Sequence, residues 1–277
     1  MLREVQLLAP WTALALPWQS IEIYRSEDTS IQESIDVLRT GVSLTHCSLY
    51  LKVASPEPTL LLPSMPRLQS LTLFERADNR TMPLLVMSLL RSLTLPALRN
   101  LNLKFEDPRS RPPEDVSEFL SFVARSSLQL EELTLCLMPV SERDLLRCLE
   151  CLQSLVTVRL QIAASMDALL ERLYSDAGFL PRLQSLHIAN FTPSDTPWEY
   201  TSPSSNATLE MLFSRWRRSL LQDFHFHYVG TDEMVVFTAM VTTHPTWETL
   251  RKVGMTLVLE EFHQEPQAGD WWVYTVY

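Results

Sequence analysis

The sequence is poor in several residues on which common functional sites depend. It holds 5 glycines in 277 residues, and none of them belongs to the glycine-rich loop that wraps phosphate groups in nucleotide-binding proteins. Its 4 cysteines are too few for a disulfide scaffold in a chain of this length. No run of about 18 apolar residues occurs. These absences argue against a nucleotide-binding enzyme, a disulfide-rich domain and a membrane protein.

Positive charge is scarce as well. The chain has 23 Lys and Arg against 33 Asp and Glu, a net charge of −10. This balance argues against general binding to nucleic acid or to anionic membranes, so neither is expected as a partner. The apolar stretch 7–16 is interrupted by Pro10 and lacks a basic leader, so we interpret it as structure and not as a secretory signal. A cytoplasmic or nuclear protein is expected.

A short leucine pattern, Leu-x-x-Leu-x-Leu, recurs along the chain. Clear copies start at Leu68, Leu98, Leu130 and Leu183, and looser ones at positions 2, 18, 44, 155, 221 and 250. The second copy is assigned to Trp18, Ile21 and Ile23, and the tenth to Leu250, Val253 and Met255. Successive copies start 16 to 38 residues apart. Repeats of this length and pattern are typical of leucine-rich repeat solenoids.

Helical patterns alternate with these copies. The last two apolar positions of each copy are two residues apart, so they face the same side of a short strand. Ser30 and Glu33 form a capping-box pattern ahead of an apolar stripe. Further helices are predicted to start near Pro83, Glu114, Ser141, Ser165, Asn206 and Thr231. The fold class predicted is α/β: one irregular leucine-rich repeat solenoid over residues 1–277, with about nine or ten repeats, a concave parallel sheet and helices on the convex side.

Three segments depart from the repeat. Residues 107–113 and 191–205 are proline-rich and are predicted to be long loops, of the kind that either carry function or lack fixed structure. Residues 269–277 contain Trp271, Trp272, Tyr274 and Tyr277 and are predicted to form a final strand or flap that closes the last repeat.

The residue between the last two apolar positions of each copy is expected to point away from the core. Together these residues make a polar, varied row on the concave sheet, which suits the recognition of a protein partner. The alternative is that the row only keeps the sheet hydrated. No nucleophile or acid–base pair is assembled in it, so no enzyme and no cofactor are expected. The row consists of Gln6, Glu22, Ser48, Thr72, Asn102, Thr134, Arg159, His187 and His225.

Three motifs invite a chemical interpretation. Cys148-x-x-Cys151 has the spacing of half a zinc or redox site, but no second ligand pair accompanies it, so buried structural cysteines are favoured. His225-x-His227 puts two imidazoles on one strand face, which is half a metal site; histidines on the sheet surface are favoured, so no metal ligands are assigned. The arginines of 215–218 are expected to face solvent or to pair with acidic neighbours.

The chain resembles the leucine-rich repeat portions of F-box-type proteins, particularly the divergent fungal set. The residues concerned are Leu16-Pro17-Trp18-Gln19, the segment 44–49, and the Leu-Pro-x-Leu-x-x-Leu-x-Leu units at 95–103 and 180–188. The resemblance implies a substrate-recognition subunit of a cullin-based ubiquitin ligase, whose repeats hold a protein substrate. No F-box segment precedes Leu2, so binding of the ligase adaptor subunit is expected only with an F-box upstream of Met1.

Two other functions stay open. One is a free-standing repeat scaffold or inhibitor unrelated to ubiquitin, since many unrelated solenoids share the leucine pattern. The other is a metal-dependent enzyme that uses His225 and His227, which we favour least.

Overall fold

The computed structural model describes residues 2–7, 16–52, 64–75, 85–105, 116–161, 166–190, 203–218, 220–229 and 232–262. Ten strands are hydrogen-bonded in chain order and form an open parallel sheet. Helices alternate with these strands along the chain. The prediction of an α/β fold with a parallel sheet is therefore confirmed.

The strands are β1 (Glu4–Leu7), β2 (Ile23–Thr29), β3 (His46–Leu51), β4 (Ser70–Glu75), β5 (Asn100–Phe105), β6 (Glu132–Cys136), β7 (Thr157–Gln161), β8 (Ser185–Asn190), β9 (Asp223–Val229) and β10 (Thr256–Phe262). The helices are α1 (Ile31–Thr40), α2 (Leu85–Ser92), α3 (Ser117–Ser126), α4 (Glu142–Glu150), α5 (Asp167–Ser175), α6 (Ser205–Arg217), α7 (Asp232–Thr243) and α8 (Pro245–Lys252). The contacts divide the chain into two compact units, an N-terminal unit (Met1–Thr134) and a C-terminal unit (Leu135–Tyr277).

The leucine pattern supplies the core of both units. In the copy that contains β4, Leu68, Leu71 and Leu73 are completely buried. The same three positions are buried in the copies that start at 44, 98, 130, 155, 183 and 221. Each buried leucine contributes about 2 kcal/mol to folding at roughly 25 cal/mol per Å² of apolar surface. The sequence pattern therefore identified the apolar face of the sheet correctly in these seven copies.

Backbone hydrogen bonds join neighbouring copies in a recurring way just before several of the strands. In the N-terminal unit the N–H groups of Gln69 and Ser70 both donate to the carbonyl oxygen of Thr45, at 2.8 and 3.0 Å. In the C-terminal unit those of Gln184 and Ser185 donate in the same way to Val156, at 2.8 and 3.0 Å. This shared acceptor fixes the stagger of each strand against the one before it.

The second copy was assigned to the wrong residues. The structure places Ile21, Tyr24 and Ser26 at its core positions, because Tyr24 pairs with Cys47 across β2 and β3. Trp18 begins a short 3₁₀ turn, and Ile23 lies outside the core face. A buried serine at the third position interrupts the apolar pattern, and for this reason the sequence suggested a register three residues too early.

The tenth copy was also assigned to the wrong residues. Val253 is 49% exposed, and β10 begins three residues later, with Leu257 and Leu259 paired to Phe224 and Phe226. The preceding segment is α8, a helix that begins with Pro245 at its first position and is capped by the His244 side chain. Proline favours a helix start, and this signal outweighed the partial leucine pattern.

The predicted helices correspond to α1 through α7. Ser30 and Glu33 form the expected capping box at α1, and Ser141 caps α4. The loop 107–113, residues 191–202 of the second loop and the aromatic segment 269–277 lie outside the described residues. Within the part of the chain that the structure describes, no helix is long and apolar enough to cross a membrane.

Candidate functional site

The face of the sheet opposite the apolar core carries polar side chains, and we call it the polar face. In the N-terminal unit its central row runs through Gln6, Arg25, Ser48, Thr72 and Asn102, which are aligned by strand register. The amide Nδ2 of Asn102 donates to Oγ1 of Thr72 at 3.2 Å. Four of the residues predicted from the sequence therefore belong to one row, with Arg25 between Gln6 and Ser48.

Glu22 does not belong to this row. It precedes β2, and its backbone carbonyl accepts hydrogen bonds from the N–H groups of Thr45 and His46. Arg25 takes the position that the sequence assigned to Glu22. The cause is the register error in the second copy. The Arg25 guanidinium lies 3.5 Å from the Glu4 carboxylate on β1, so this end of the row carries charges of both signs.

An aromatic pair lies two residues further along the same face. Tyr50 and Phe74 are aligned across β3 and β4, with ring centroids 5.0 Å apart and planes tilted by 45°. Tyr50 is 42% exposed, and Lys104 follows in register on β5. Sequence reasoning missed these residues, although the position after each leucine pattern alternates outward and so indicates them.

The remaining row residues are in a different environment. Thr134 lies on β6 between the buried Leu133 and Leu135 and is itself only 2% exposed, so little of its side chain is accessible to a partner. In the C-terminal unit Arg159, His187 and His225 are aligned across β7, β8 and β9. His187 is 7% exposed and His225 is half-buried. The polar face of the C-terminal unit is thus more enclosed than the alternating pattern suggested.

Three histidines gather on this enclosed part of the polar face. His187 stacks on His225, with centroids 4.2 Å apart and planes 9° apart. His227, also 7% exposed, lies 6.2 Å from His225 on the same strand. One ligand nitrogen from each ring can be chosen so that all three lie within 4.8 Å of one another. We call His187, His225 and His227 the histidine cluster.

Polar groups border the histidine cluster. The Ser185 hydroxyl lies 2.8 Å from Nε2 of His187, and a carboxylate oxygen of Glu260 lies 3.4 Å from Nδ1 of His227. Burial, together with a smaller effect of the nearby His225, lowers the pKa of His187 to about 3 and that of His227 to about 4. Burial also lowers the pKa of His225. All three imidazoles are therefore neutral at pH 7.

Sequence reasoning identified two members of the cluster and missed the third. It noted His225-x-His227 as half a site and found no ligand spacing for His187. Yet His187 and His225 occupy the same position in their respective copies of the leucine pattern. Equal positions in consecutive copies become neighbours in a parallel sheet. The leucine pattern therefore indicates that His187 lies next to His225.

The cysteine motif does not form a site. Cys148 is buried and Cys151 is exposed, and burial raises the pKa of the Cys148 thiol to about 12. A thiol held in its protonated form is a poor nucleophile and a poor metal ligand. These observations favour structural cysteines.

The arginine cluster contains one buried member. Arg215 is completely buried, so the expectation that it faces solvent or pairs with an acidic neighbour was wrong. Its guanidinium donates to backbone carbonyl oxygens near the end of α5 and in the segment that follows, those of Leu173, Asp176, Phe179 and Leu180. Arg217 and Arg218 are exposed. Arg215 therefore has a structural role.

No protein-family model matches the chain, and a search of curated proteins gives no match either. The resemblance to F-box-type repeat proteins accordingly stays a prediction.

Proposed function

We propose that the chain is a protein-binding module and that the polar face of its N-terminal unit holds the partner. The observation that carries this proposal is the aromatic pair formed by exposed Tyr50 and half-buried Phe74. The pair lies on paired strands, where ordering it on binding costs little conformational entropy. Aromatic residues of this kind are enriched among the residues that dominate binding energy at protein interfaces.

The surroundings of the pair support the same function. Lys104 lies beside Phe74 in register, and the row of Arg25, Ser48, Thr72 and Asn102 runs alongside. A central aromatic contact bordered by varied polar and cationic groups is the usual anatomy of a protein interface.

The proposal includes a repeat solenoid of the leucine-rich type. Seven buried copies of the leucine pattern and the shared carbonyl acceptors before the strands support repeats that stack in chain order. In the F-box-type proteins that the sequence resembles, such a surface holds the substrate of a ubiquitin ligase. We therefore propose substrate-type recognition, with a free-standing scaffold or inhibitor as the alternative.

A pair of matched variants tests the proposed surface. Tyr50 and Tyr174 are 42% and 43% exposed, but Tyr50 lies on the polar face and Tyr174 on α5. Proximity labelling in cells should identify proteins that wild type captures, that Tyr50→Ala loses and that Tyr174→Ala retains. Direct binding of each captured protein to the purified variants then measures the loss. Equal capture by all three forms would show that the partner does not bind the polar face around Tyr50.

A second experiment separates the two kinds of recognition module. The chain, and the same chain extended upstream at its gene, are each mixed with the adaptor subunit of cullin ligases. Binding by the extended form supports the ligase function. Absence of binding by both forms leaves the scaffold or inhibitor as the function of this surface.

A further inference from the structure

We propose that the histidine cluster of the C-terminal unit binds one zinc ion through His187, His225 and His227. This inference goes beyond the proposed function, because it concerns different residues in the other compact unit.

The arrangement of the strands makes the site possible. His225 and His227 are two residues apart on β9 and so project from the same side. His187 faces the same side from β8, directly beside His225. A histidine pair on one strand and a third histidine on the adjacent strand bring three imidazoles together above the sheet. His187 and His225 are stacked there with ring centroids 4.2 Å apart, so one of these two rings must rotate to direct a nitrogen at a shared ion.

The distances approach those of a tetrahedral site. The chosen ligand nitrogens lie within 4.8 Å of one another. Zinc–nitrogen bonds of about 2.0–2.1 Å in a tetrahedron require nitrogens about 3.3 Å apart. Rotations of the imidazole rings about their side-chain bonds move a nitrogen by more than this difference, since each ring nitrogen lies off the Cβ–Cγ axis. The ion can therefore bind without a change in strand register.

The chemistry of the donors selects the ion. Three neutral imidazoles suit zinc and other late first-row ions and are poor ligands for magnesium or calcium, which prefer oxygen. The low pKa values of these histidines keep the lone pairs available at pH 7. Three protein ligands leave a fourth position for water or for a group from a bound molecule.

Neighbouring groups are placed to orient the ligands. Ser185 contacts His187, and the Glu260 carboxylate lies beside His227. Hydroxyl and carboxylate groups beside ligating histidines fix the ring orientation and the tautomer. Arg159 is aligned with His187 on β7 and its charge opposes a cation, whereas the acidic groups of Asp223 and Glu260 attract one.

The test measures zinc binding by purified protein that carries no histidine tag. The chain is stripped with chelator, kept reduced, and titrated with zinc against a chromogenic competitor. We expect one zinc per chain for wild type and at least about a tenfold loss of affinity for His225→Gln. Two controls, His46→Gln on β3 and Cys151→Ser after α4, remove an exposed histidine and an exposed thiol and should bind like wild type.

X-ray absorption of the zinc-loaded wild type supplies a readout that needs no variant. We expect nitrogen or oxygen neighbours at about 2.0–2.1 Å and no sulfur at about 2.3 Å. His225 is half-buried, so circular dichroism should show His225→Gln folded even if substitutions of His187 or His227 disrupt the sheet. Failure of wild type to bind one zinc, unchanged affinity of folded His225→Gln, or a sulfur neighbour would each overturn the inference. None of these outcomes bears on the Tyr50 surface.

Discussion

Nε of Arg215 donates a hydrogen bond to the backbone carbonyl oxygen of Leu173 at 2.7 Å. The same guanidinium also donates to Phe179 at 2.7 Å and to Leu180 at 3.2 Å. It thereby satisfies carbonyls that the end of α5 and the following turn leave without helical partners. One side chain from α6 thus holds the end of the neighbouring helix in place.

Arg215→Met should therefore be strongly destabilising. Methionine fills part of the volume but leaves several buried carbonyl oxygens without donors, and we expect a loss of about 3 kcal/mol or more in the free energy of unfolding. Arg218→Met, three residues later and exposed, should change this quantity by less than about 0.5 kcal/mol. Urea denaturation of both variants measures the difference. Similar midpoints for the two would show that the guanidinium network adds nothing to stability.

Adjacent residues on β5 should respond in opposite ways to substitution. Leu101 is completely buried, so Leu101→Asp places an unpaired charge in the core and should cost about 4 kcal/mol or more. Asn102 lies on the polar face and bonds to Thr72, so Asn102→Ala should stay within about 0.5 kcal/mol. Thermal melting compares the two. A near-native melting temperature for Leu101→Asp would contradict the register of the leucine pattern.

These neighbours illustrate what the sequence could predict. The burial of Leu101 was predicted from the leucine spacing, because the same three apolar positions are buried in seven copies. The register of β2 did not follow, because a serine (Ser26) occupies a buried core position while an isoleucine (Ile23) is only half-buried outside the core face. The equal positions of His187 and His225 in consecutive copies do indicate that the two are neighbours, but the stacking of their rings depends on side-chain conformations that the spacing does not specify. The burial of Arg215 depends on carbonyl groups that no sequence pattern marks.

Thiol reactivity should distinguish the four cysteines. Cys47, Cys136 and Cys148 are buried and Cys151 is exposed. Burial raises the pKa of both Cys47 and Cys148 to about 12, so little thiolate is present in either at pH 8. We expect a disulfide reagent to modify one thiol rapidly in folded protein and all four after denaturation. Cys151→Ser should abolish the rapid phase. Two rapid thiols in wild type would show that one of the three buried cysteines is accessible to the reagent.

Acid should destabilise the metal-free protein through the histidine cluster. In the unfolded chain a histidine has a pKa of about 6.5, whereas in the folded protein it is about 3 for His187 and about 4 for His227. Below pH 6.5 the unfolded state therefore binds protons that the folded state does not. The free energy of unfolding should fall as the pH falls from 6.5 towards 4, by at most about 1.4 kcal/mol per pH unit for each histidine.

Urea midpoints measured from pH 6.5 to 5 in the presence of a chelator test this dependence above the range in which most carboxylates titrate. His227→Gln should have a shallower slope than wild type, because glutamine takes up no proton in either state. Equal slopes for wild type and His227→Gln would mean that His227 is protonated as easily in the folded protein as in the unfolded chain. His227 would then not be shielded from solvent in the folded protein.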